Sequence, residues 1–319
     1  MGYNKIMGNS IYVAIPCIGI DNELESTVLS CFLQSDNPDK ITIGISFIGN
    51  YEFYKTFDDK FKNLDNIKTS FYEIEGNLGV GKARIFAASK YNNEDYFLQT
   101  DSHMVFARSW DTKLIKKITE AKEKFNNNRV ILTAYAGTYR YEHIGNNNYS
   151  TIILQDRFGY NEWQQQEFML DEVIPSWTYT MEDCLEDFML MPKVSAHMIF
   201  TNGEFAKNLH ISEDIIFWEE EIIQSIELIN DGYLLVYPGL ECYIYHLNMD
   251  QIWNHKGYRK GNIELHEEFG LTWEDSCIKI ENNFLNYLKY NPDKVDKYEK
   301  YIGFTLIDGY IDTPQIPSY

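Results

Sequence analysis

Hydrophobic and polar positions alternate along the first part of the chain in a way that predicts strands separated by helices. Runs rich in β-branched and aromatic residues predict short strands, and segments of about 10–15 residues with helical spacing predict helices between them. This arrangement is typical of βαβ units, so we predict an α/β fold with a mostly parallel central sheet flanked by helices. The predicted strands are Ile11–Cys17, Lys40–Ile48, Lys68–Ile74, Tyr96–Thr100 and Arg129–Ala134, and the predicted helices are Asn22–Gln34, Tyr51–Leu64, Gly79–Tyr91 and Ser109–Phe125.

The pattern changes in residues 136–190, which are rich in Tyr, Asn, Gln and Trp and poor in apolar periodicity. We predict an irregular insertion there. Alternation then resumes, which predicts one domain over residues 1–260 and a C-terminal helical extension, 261–319, packed on it. The later predicted elements are strands at Ala196–Phe200, Tyr233–Tyr237 and Cys242–His246 and helices at Glu213–Asn230 and 275–290.

Charge and composition narrow the classes of function. The 319 residues carry a formal net charge of −20, and so acidic a chain has no long-range attraction for a nucleic-acid backbone. The sequence shows neither an apolar run of membrane-spanning length nor a signal-peptide core before the first strand, which predicts no membrane association and a cytoplasmic location. Five cysteines without CxxC spacing favour reduced thiols over disulfides or a zinc site.

A short motif of Asp101, Ser102 and His103 follows directly on the predicted strand Tyr96–Thr100. Ligands of open α/β sheets bind beyond the carboxyl ends of the strands, and residues two apart in an extended segment point the same way. Asp101 and His103, together with phosphate oxygens, would therefore suit Mn²⁺ or Mg²⁺. An ordinary turn at the strand end is the alternative for so short a motif.

Glycines open the next candidate element, at Gly79 and Gly81. Backbone N–H groups at such a helix start can meet an anion, and Arg84 lies one turn further, within reach of a phosphate. The spacing is neither a P-loop nor a GxGxxG motif, so a plain helix start is the alternative.

Two further groups of polar residues lie near predicted element ends. His246 ends a predicted strand and is a candidate third metal ligand, with His255 as a competitor and a structural role as the alternative. Glu219, Glu220 and Glu221 lie near the start of a helix, where carboxylates interact well with the dipole. The alternative is that one of them contacts a substrate.

Taken together, these segments resemble the GT-A family of polypeptide (hydroxyproline) N-acetylglucosaminyltransferases. The resemblance runs from about residue 10 to residue 260. The segments that carry it are IYVAIPC, Asp21–Leu24 (DNEL), Ala83-Arg84, Glu94, Tyr96–Asp111 (YFLQTDSHMVFARSWD), Glu220–Tyr233 (EEIIQSIELINDGY) and His246-Leu247.

The chain also departs from this family. Cys17-Ile18-Gly19-Ile20 stands where the family has a small residue, Tyr and Arg, and Glu219 replaces a glycine. Glu227 replaces an arginine of the following helix. Two cationic positions are therefore absent, which leaves the donor sugar and the acceptor open.

The resemblance implies a GT-A-type nucleotide-sugar-binding fold and transfer of N-acetylglucosamine or a related sugar from a UDP-sugar to a hydroxyl, with retention of configuration. It implies Asp101, His103 and His246 as ligands of Mn²⁺ or Mg²⁺, with Glu220 and Glu221 facing the sugar or the acceptor. Residues 136–190 fall outside the resemblance, and we expect them to form the acceptor side. The implied donor-binding residues are Ala14, Pro16, Asp21, Arg84, Asp101 and Ser102.

Other functions remain open at this point. The acceptor can be a protein, a glycan, a lipid-linked sugar or a modified DNA base. A non-catalytic sugar-nucleotide-binding module is a second alternative, and a nucleotidyltransferase is a third, although only Lys82 and Arg84 could form its basic cradle. If the reaction uses a protein nucleophile, Glu220 or Glu221 is expected first, and Asp171 or Glu182 after them.

Overall fold

A seven-stranded, mostly parallel sheet forms the centre of the computed structural model, which describes residues 8–73, 79–143, 150–155, 160–167, 173–180, 187–217, 219–247, 273–303 and 306. One strand, β11 (Ile199–Asn202), runs antiparallel to both of its neighbours, and the other pairs are parallel. This confirms the predicted fold class. In spatial order the strands are β12 (Leu234–Val236), β6 (Val130–Thr133), β11 (Ile199–Asn202), β4 (Tyr96–Gln99), β1 (Ile11–Ile18), β2 (Ile41–Ile48) and β3 (Ile67–Tyr72).

Helices lie between these strands along the chain, as the alternating pattern predicted. In the longest of the first four, the buried residues Trp110, Leu114, Ile118 and Ala121 recur at helical spacing and form one apolar stripe. Most predicted helices extend a few residues too far, because polar residues at their ends belong to caps and turns. The helices are α1 (Leu24–Leu33), α2 (Tyr51–Phe61), α3 (Val80–Ala88), α4 (Trp110–Phe125) and α5 (Glu219–Asn230).

The prediction of irregular structure in residues 136–190 was wrong. This part of the chain contains β7 (Gly137–His143), β8 (Ser150–Gln155), β9 (Tyr160–Glu167) and β10 (Val173–Thr180). Strands β9 and β10 form an antiparallel pair, and β7 and β8 form another. Their many polar residues hid the strands, because the prediction relied on apolar periodicity, which is weak in this part of the sequence.

A second sheet brings two distant histidine-bearing segments together. Its order is β5 (Met104–Phe106), β13 (Ile244–Leu247), β7 and β8. Strand β5 follows β4 after only four residues and pairs antiparallel with β13, so that His246 lies opposite Met104. The turn of residues 100–103 therefore joins the two sheets at the carboxyl end of β4, next to His246.

Two C-terminal helices, α6 (Trp273–Tyr290) and α7 (Pro292–Ile302), pack against α5. Tyr287 and Lys294 both donate hydrogen bonds to the Glu227 carboxylate, each at 2.7 Å. The predicted domain boundaries remain predictions, and the candidates His255, Asp171 and Glu182 lie outside the described residues. In the part of the chain that the structure describes, none of the helices has the length and apolar character needed to cross a membrane.

Candidate functional site

Asp101 lies at the carboxyl end of β4, and Arg84 of α3 holds one of its two carboxylate oxygens. Arg84 Nη2 donates to Asp101 Oδ1 at 2.8 Å, and Arg84 Nη1 donates to the Thr100 carbonyl at 2.9 Å. Although burial opposes ionisation, the Arg84 guanidinium holds the pKa of Asp101 well below its ordinary value. The other oxygen, Oδ2, lies 3.9 Å from Nε2 of both His197 and His246. Asp101 is therefore an ionised carboxylate whose second oxygen faces imidazole rings.

The rings of His103 and His246 are each fixed by an acceptor on the Nδ1 side. His246 Nδ1 lies 2.7 Å from the Leu247 carbonyl oxygen, which can only accept, so this nitrogen carries the proton. His103 Nδ1 lies 2.9 Å from Oδ2 of Asp21. Burial opposes ionisation of Asp21 too, but His103 and other donors lower its pKa, so its carboxylate also accepts. In the neutral rings, both Nε2 atoms are then unprotonated.

These two Nε2 atoms face each other at 2.9 Å. Two lone pairs at this separation repel unless a cation lies between them. Burial opposes a charge on His103, yet the Asp21 carboxylate raises the pKa of His103, which fits a proton in this position. Burial and the neighbouring imidazoles of His197 and His103 lower the pKa of His246. The paired nitrogens therefore form a place for a cation, either a proton or a metal ion.

His197 is a third imidazole at the site, and the sequence analysis did not identify it. Its ring stacks on His246 with a centroid distance of 4.3 Å and contacts Tyr135 at 4.4 Å. It lies just before β11, which runs antiparallel to β4, so the beginning of β11 lies at the carboxyl end of β4. From the sequence, a histidine that precedes a strand can be assigned to this edge of the sheet only if the direction of that strand is known.

The residues present fit a divalent metal ion. One ligand atom each from Asp101, His197 and His246 lie within 4.8 Å of one another. Nitrogens that bind one ion at about 2.0–2.1 Å are separated by roughly 3 Å, which agrees with the 2.9 Å between His103 and His246. A set with one carboxylate and several imidazoles suits Mn²⁺ and other transition ions better than Mg²⁺. The predicted ligands Asp101 and His246 belong to this group, whereas His103 adjoins it through its Nε2 atom, 2.9 Å from that of His246.

The beginning of α3 is not open to an anion, contrary to one interpretation of its glycines. The Val80 and Gly81 N–H groups donate to the carbonyls of Ile216 and Ile215, at 3.0 and 3.1 Å. A Cβ atom on Gly79 would lie 1.9 Å from the Ile215 carbonyl oxygen. The glycines therefore serve the close approach of two backbone segments, which supports the alternative of a plain helix start.

The residues predicted to bind the donor occupy different environments. Arg84 is only 4% exposed and Asp21 only 2%, and both hold other site residues. Ala14 is buried within β1, where its carbonyl accepts from the Thr100 N–H at 3.2 Å, and Pro16 is half-buried. Direct contact of these residues, and of buried Ser102, with a nucleotide stays a prediction.

Glu220 and Glu221 begin α5, next to the site. Glu220 Oε1 accepts from Arg84 Nε at 3.0 Å and from Gln99 Nε2 at 3.3 Å. Burial raises the pKa of Glu220 to about 7, although Arg84 opposes this shift. Glu221 accepts from Lys193 Nζ and, at 2.7 Å, from the Ala196 N–H. Both carboxylates bind protein groups, and their contact with a substrate stays a prediction.

A known structure shares this arrangement of sheets and helices. The crystal structure of GalNAc-T7 with UDP, GalNAc and Mn²⁺ has a TM-score of 0.55 and 14% identity to the chain. The match covers 92% of this chain and 50% of that one, so the chain spans half the length of that structure. S. aureus TarS 1–349 in complex with UDP-GlcNAc is 12% identical over 88% of this chain and 73% of that one, with a TM-score of 0.45. The fold is that of the GT-A glycosyltransferases.

A family model gives the assignment within this class. The model described as glycosyltransferase (GlcNAc) matches residues 52–267, which is more than half of the chain. The chain belongs to this glycosyltransferase family. No curated protein matches the chain, and the more specific resemblance to hydroxyproline-modifying enzymes stays a prediction.

Proposed function

We propose that this protein is a divalent-metal-dependent, retaining glycosyltransferase that transfers N-acetylglucosamine from UDP-N-acetylglucosamine to a hydroxyl group on a protein. The observation that carries the proposal is the group of Asp101, His197 and His246 at the carboxyl end of β4, with His103 against His246. Ligands of open α/β sheets bind at this edge. The GlcNAc description of the family supports the choice of sugar.

Asp101, His103 and His246 would hold the ion, with His197 beside them. A bound divalent ion stabilises negative charge as it develops on the departing nucleoside diphosphate. The chain itself keeps Asp101 ionised and orients its carboxylate through Arg84. Arg84 is in turn held by Glu220 on α5. In this proposal Arg84 acts on the diphosphate through Asp101, because its donors are directed at protein acceptors.

The proposal uses no protein nucleophile. Glu220 and Glu221 are the nearest predicted candidates, and both are buried and bound to cationic or N–H groups. We propose instead that the acceptor hydroxyl attacks the anomeric carbon from the face that the diphosphate leaves. The departing phosphate oxygen takes the hydroxyl proton, and attack on the face that the diphosphate vacates retains the configuration. Such a route depends on positioning and electrostatics.

The deciding experiment measures UDP release from a panel of nucleotide-sugars with Mn²⁺, with Mg²⁺ and with EDTA. We expect release from UDP-N-acetylglucosamine that requires a metal ion and falls by at least about 100-fold in Asp101→Asn, since one ligand loses its charge. Asp59→Asn removes an exposed carboxylate of α2 and should change nothing. Absence of release and of binding for every nucleotide-sugar would overturn the proposal.

The acceptor is tested separately, with hydroxyproline-, serine- and threonine-containing peptides compared with oligosaccharides. Sugar transfer to a peptide hydroxyl supports the proposal, and product analysis gives the anomeric configuration. Transfer to oligosaccharides alone would move the assignment to a glycan-modifying enzyme, and an inverted product would reject the retaining route.

A further inference from the structure

The Asp21 carboxylate sits behind His103 and contacts no other ring of the site among the described residues. It follows β1 and is almost completely buried. Its Oδ2 atom accepts from His103 Nδ1 at 2.9 Å and from the Ser102 hydroxyl. Its Oδ1 atom accepts from the Glu23 backbone N–H at 2.9 Å. A buried carboxylate with this many donors has a fixed orientation.

We infer that Asp21 is a positioning residue: it does not bind the donor, but fixes the tautomer and orientation of His103 so that Nε2 is available to a metal ion. This inference rests on the proposed metal site. A ligand imidazole whose other nitrogen donates to a carboxylate keeps its proton away from the ion and becomes more basic. On the other ring, the Leu247 carbonyl performs the same task for His246.

The Glu23 N–H makes the inference unusually testable. In an Asp21→Asn variant the amide oxygen must stay where Oδ1 is, because only an acceptor can receive the Glu23 N–H. The amide NH₂ group then lies where Oδ2 is, facing His103 Nδ1. Since this group can only donate, His103 must place its proton on Nε2, the nitrogen that faces His246.

The experiment measures Mn²⁺ affinity by electron paramagnetic resonance for wild type and Asp21→Asn, in the absence of any nucleotide. We expect the variant to bind Mn²⁺ about 10–100-fold more weakly, the range for loss of an outer partner of a ligand. Nitrogen-15 NMR of the metal-free proteins, at a pH where the His103 ring is neutral, should show its single proton on Nδ1 in wild type and on Nε2 in the variant. A structural role alone would not move this proton.

Asp111→Asn is the matched control. Asp111 is also buried and accepts from the backbone N–H groups of Asp36 and Asn37, at 2.9 and 3.0 Å. It should lose stability but keep wild-type Mn²⁺ affinity. If wild type binds Mn²⁺ and Asp21→Asn binds it within about twofold, the inference is overturned while the metal site stands. If wild type does not bind Mn²⁺, the proposed metal dependence itself fails.

Discussion

The rings of His103 and His197 both contact His246, but they are held in different ways. His103 is held through its ring, by the Asp21 carboxylate. His197 is held through its backbone segment and by ring stacking, and its Nδ1 atom has no hydrogen-bond partner among the described residues. A ring hydrogen bond fixes both tautomer and direction, whereas stacking fixes only the plane. His103 is therefore preorganised as a ligand, and His197 can adjust to an ion or to the donor.

The segment that carries His197 is fastened mainly by α5. Glu221 accepts from the Ala196 N–H, and Ser225 Oγ accepts from the Val194 N–H at 2.9 Å. Lys193 is completely buried and pairs with Glu221. Its pKa is lowered to about 8 by burial, which the Glu221 carboxylate opposes. The support of His103 by Asp21 and the support of the His197 segment by α5 can thus be weakened independently; we call these the His103 side and the His197 side of the site.

The largest effect on stability is expected from Lys193→Met. It leaves the Glu221 carboxylate buried without its cationic partner, which costs about 3–5 kcal/mol. Urea unfolding measures this loss, and Lys124→Met, which removes an exposed lysine side chain, serves as the control. Because the His103 side is untouched, Mn²⁺ affinity of the folded variant should stay near that of wild type. A large loss of affinity would mean that the two sides do not act independently.

Glu220 gives the second effect, and its size depends on pH. Burial raises the pKa of Glu220 from 4.5 to about 7. Between these two pH values the Glu220 carboxyl group is therefore protonated in the folded protein but ionised in the unfolded chain. The free energy of unfolding should therefore fall as pH rises from about 4.5 to 7, by at most about 3 kcal/mol. Glu220→Gln lacks this titration, so the wild type should lose stability relative to it between pH 5 and pH 8 in urea unfolding. If the unfolding free energies of wild type and Glu220→Gln change in parallel with pH, the raised pKa of Glu220 is contradicted.

The two histidines themselves provide the third test. His103→Gln removes a preorganised ligand and should weaken Mn²⁺ binding about 100-fold, or roughly 2.7 kcal/mol. His197→Gln should weaken it by less than about tenfold, because the His197 ring loses conformational entropy when it is ordered on binding and so contributes less net affinity. Isothermal titration with Mn²⁺ compares both variants. Equal losses would show that His197 is as much a ligand as His103.

The sequence predicts the parts of this site that depend on one strand. Asp101 and His103 could be placed because they follow β4 directly, and the βαβ pattern puts that strand end where ligands bind. His197 could not, because its position depends on the antiparallel direction of β11. The strands β7 to β10 were missed for a different reason: their sequences are rich in polar residues and give only a weak apolar signal.

Contacts made by side chains were harder to predict than their positions. Arg84 lies beside Asp101, but whether it also reaches a phosphate depends on which acceptors surround it, and that contact stays a prediction. Those acceptors, Thr100 and Glu220, come from two other parts of the chain. The same holds for Asp21, since its partner His103 is 82 residues away along the chain. Long-range pairing of this kind leaves no local pattern.

The smallest effect is expected far from the ion, where α7 supports the His197 side. Tyr298 donates its hydroxyl proton to the Pro192 carbonyl at 2.7 Å, in a completely buried position. Tyr298→Phe keeps the ring and loses this bond, which should lower the free energy of unfolding by about 1 kcal/mol. Tyr301→Phe loses a similar bond to the Met191 carbonyl and serves as the comparison. If α7 only supports this segment, both variants keep wild-type Mn²⁺ affinity; a weaker affinity in Tyr298→Phe alone would show that the position of Pro192 is transmitted to His197.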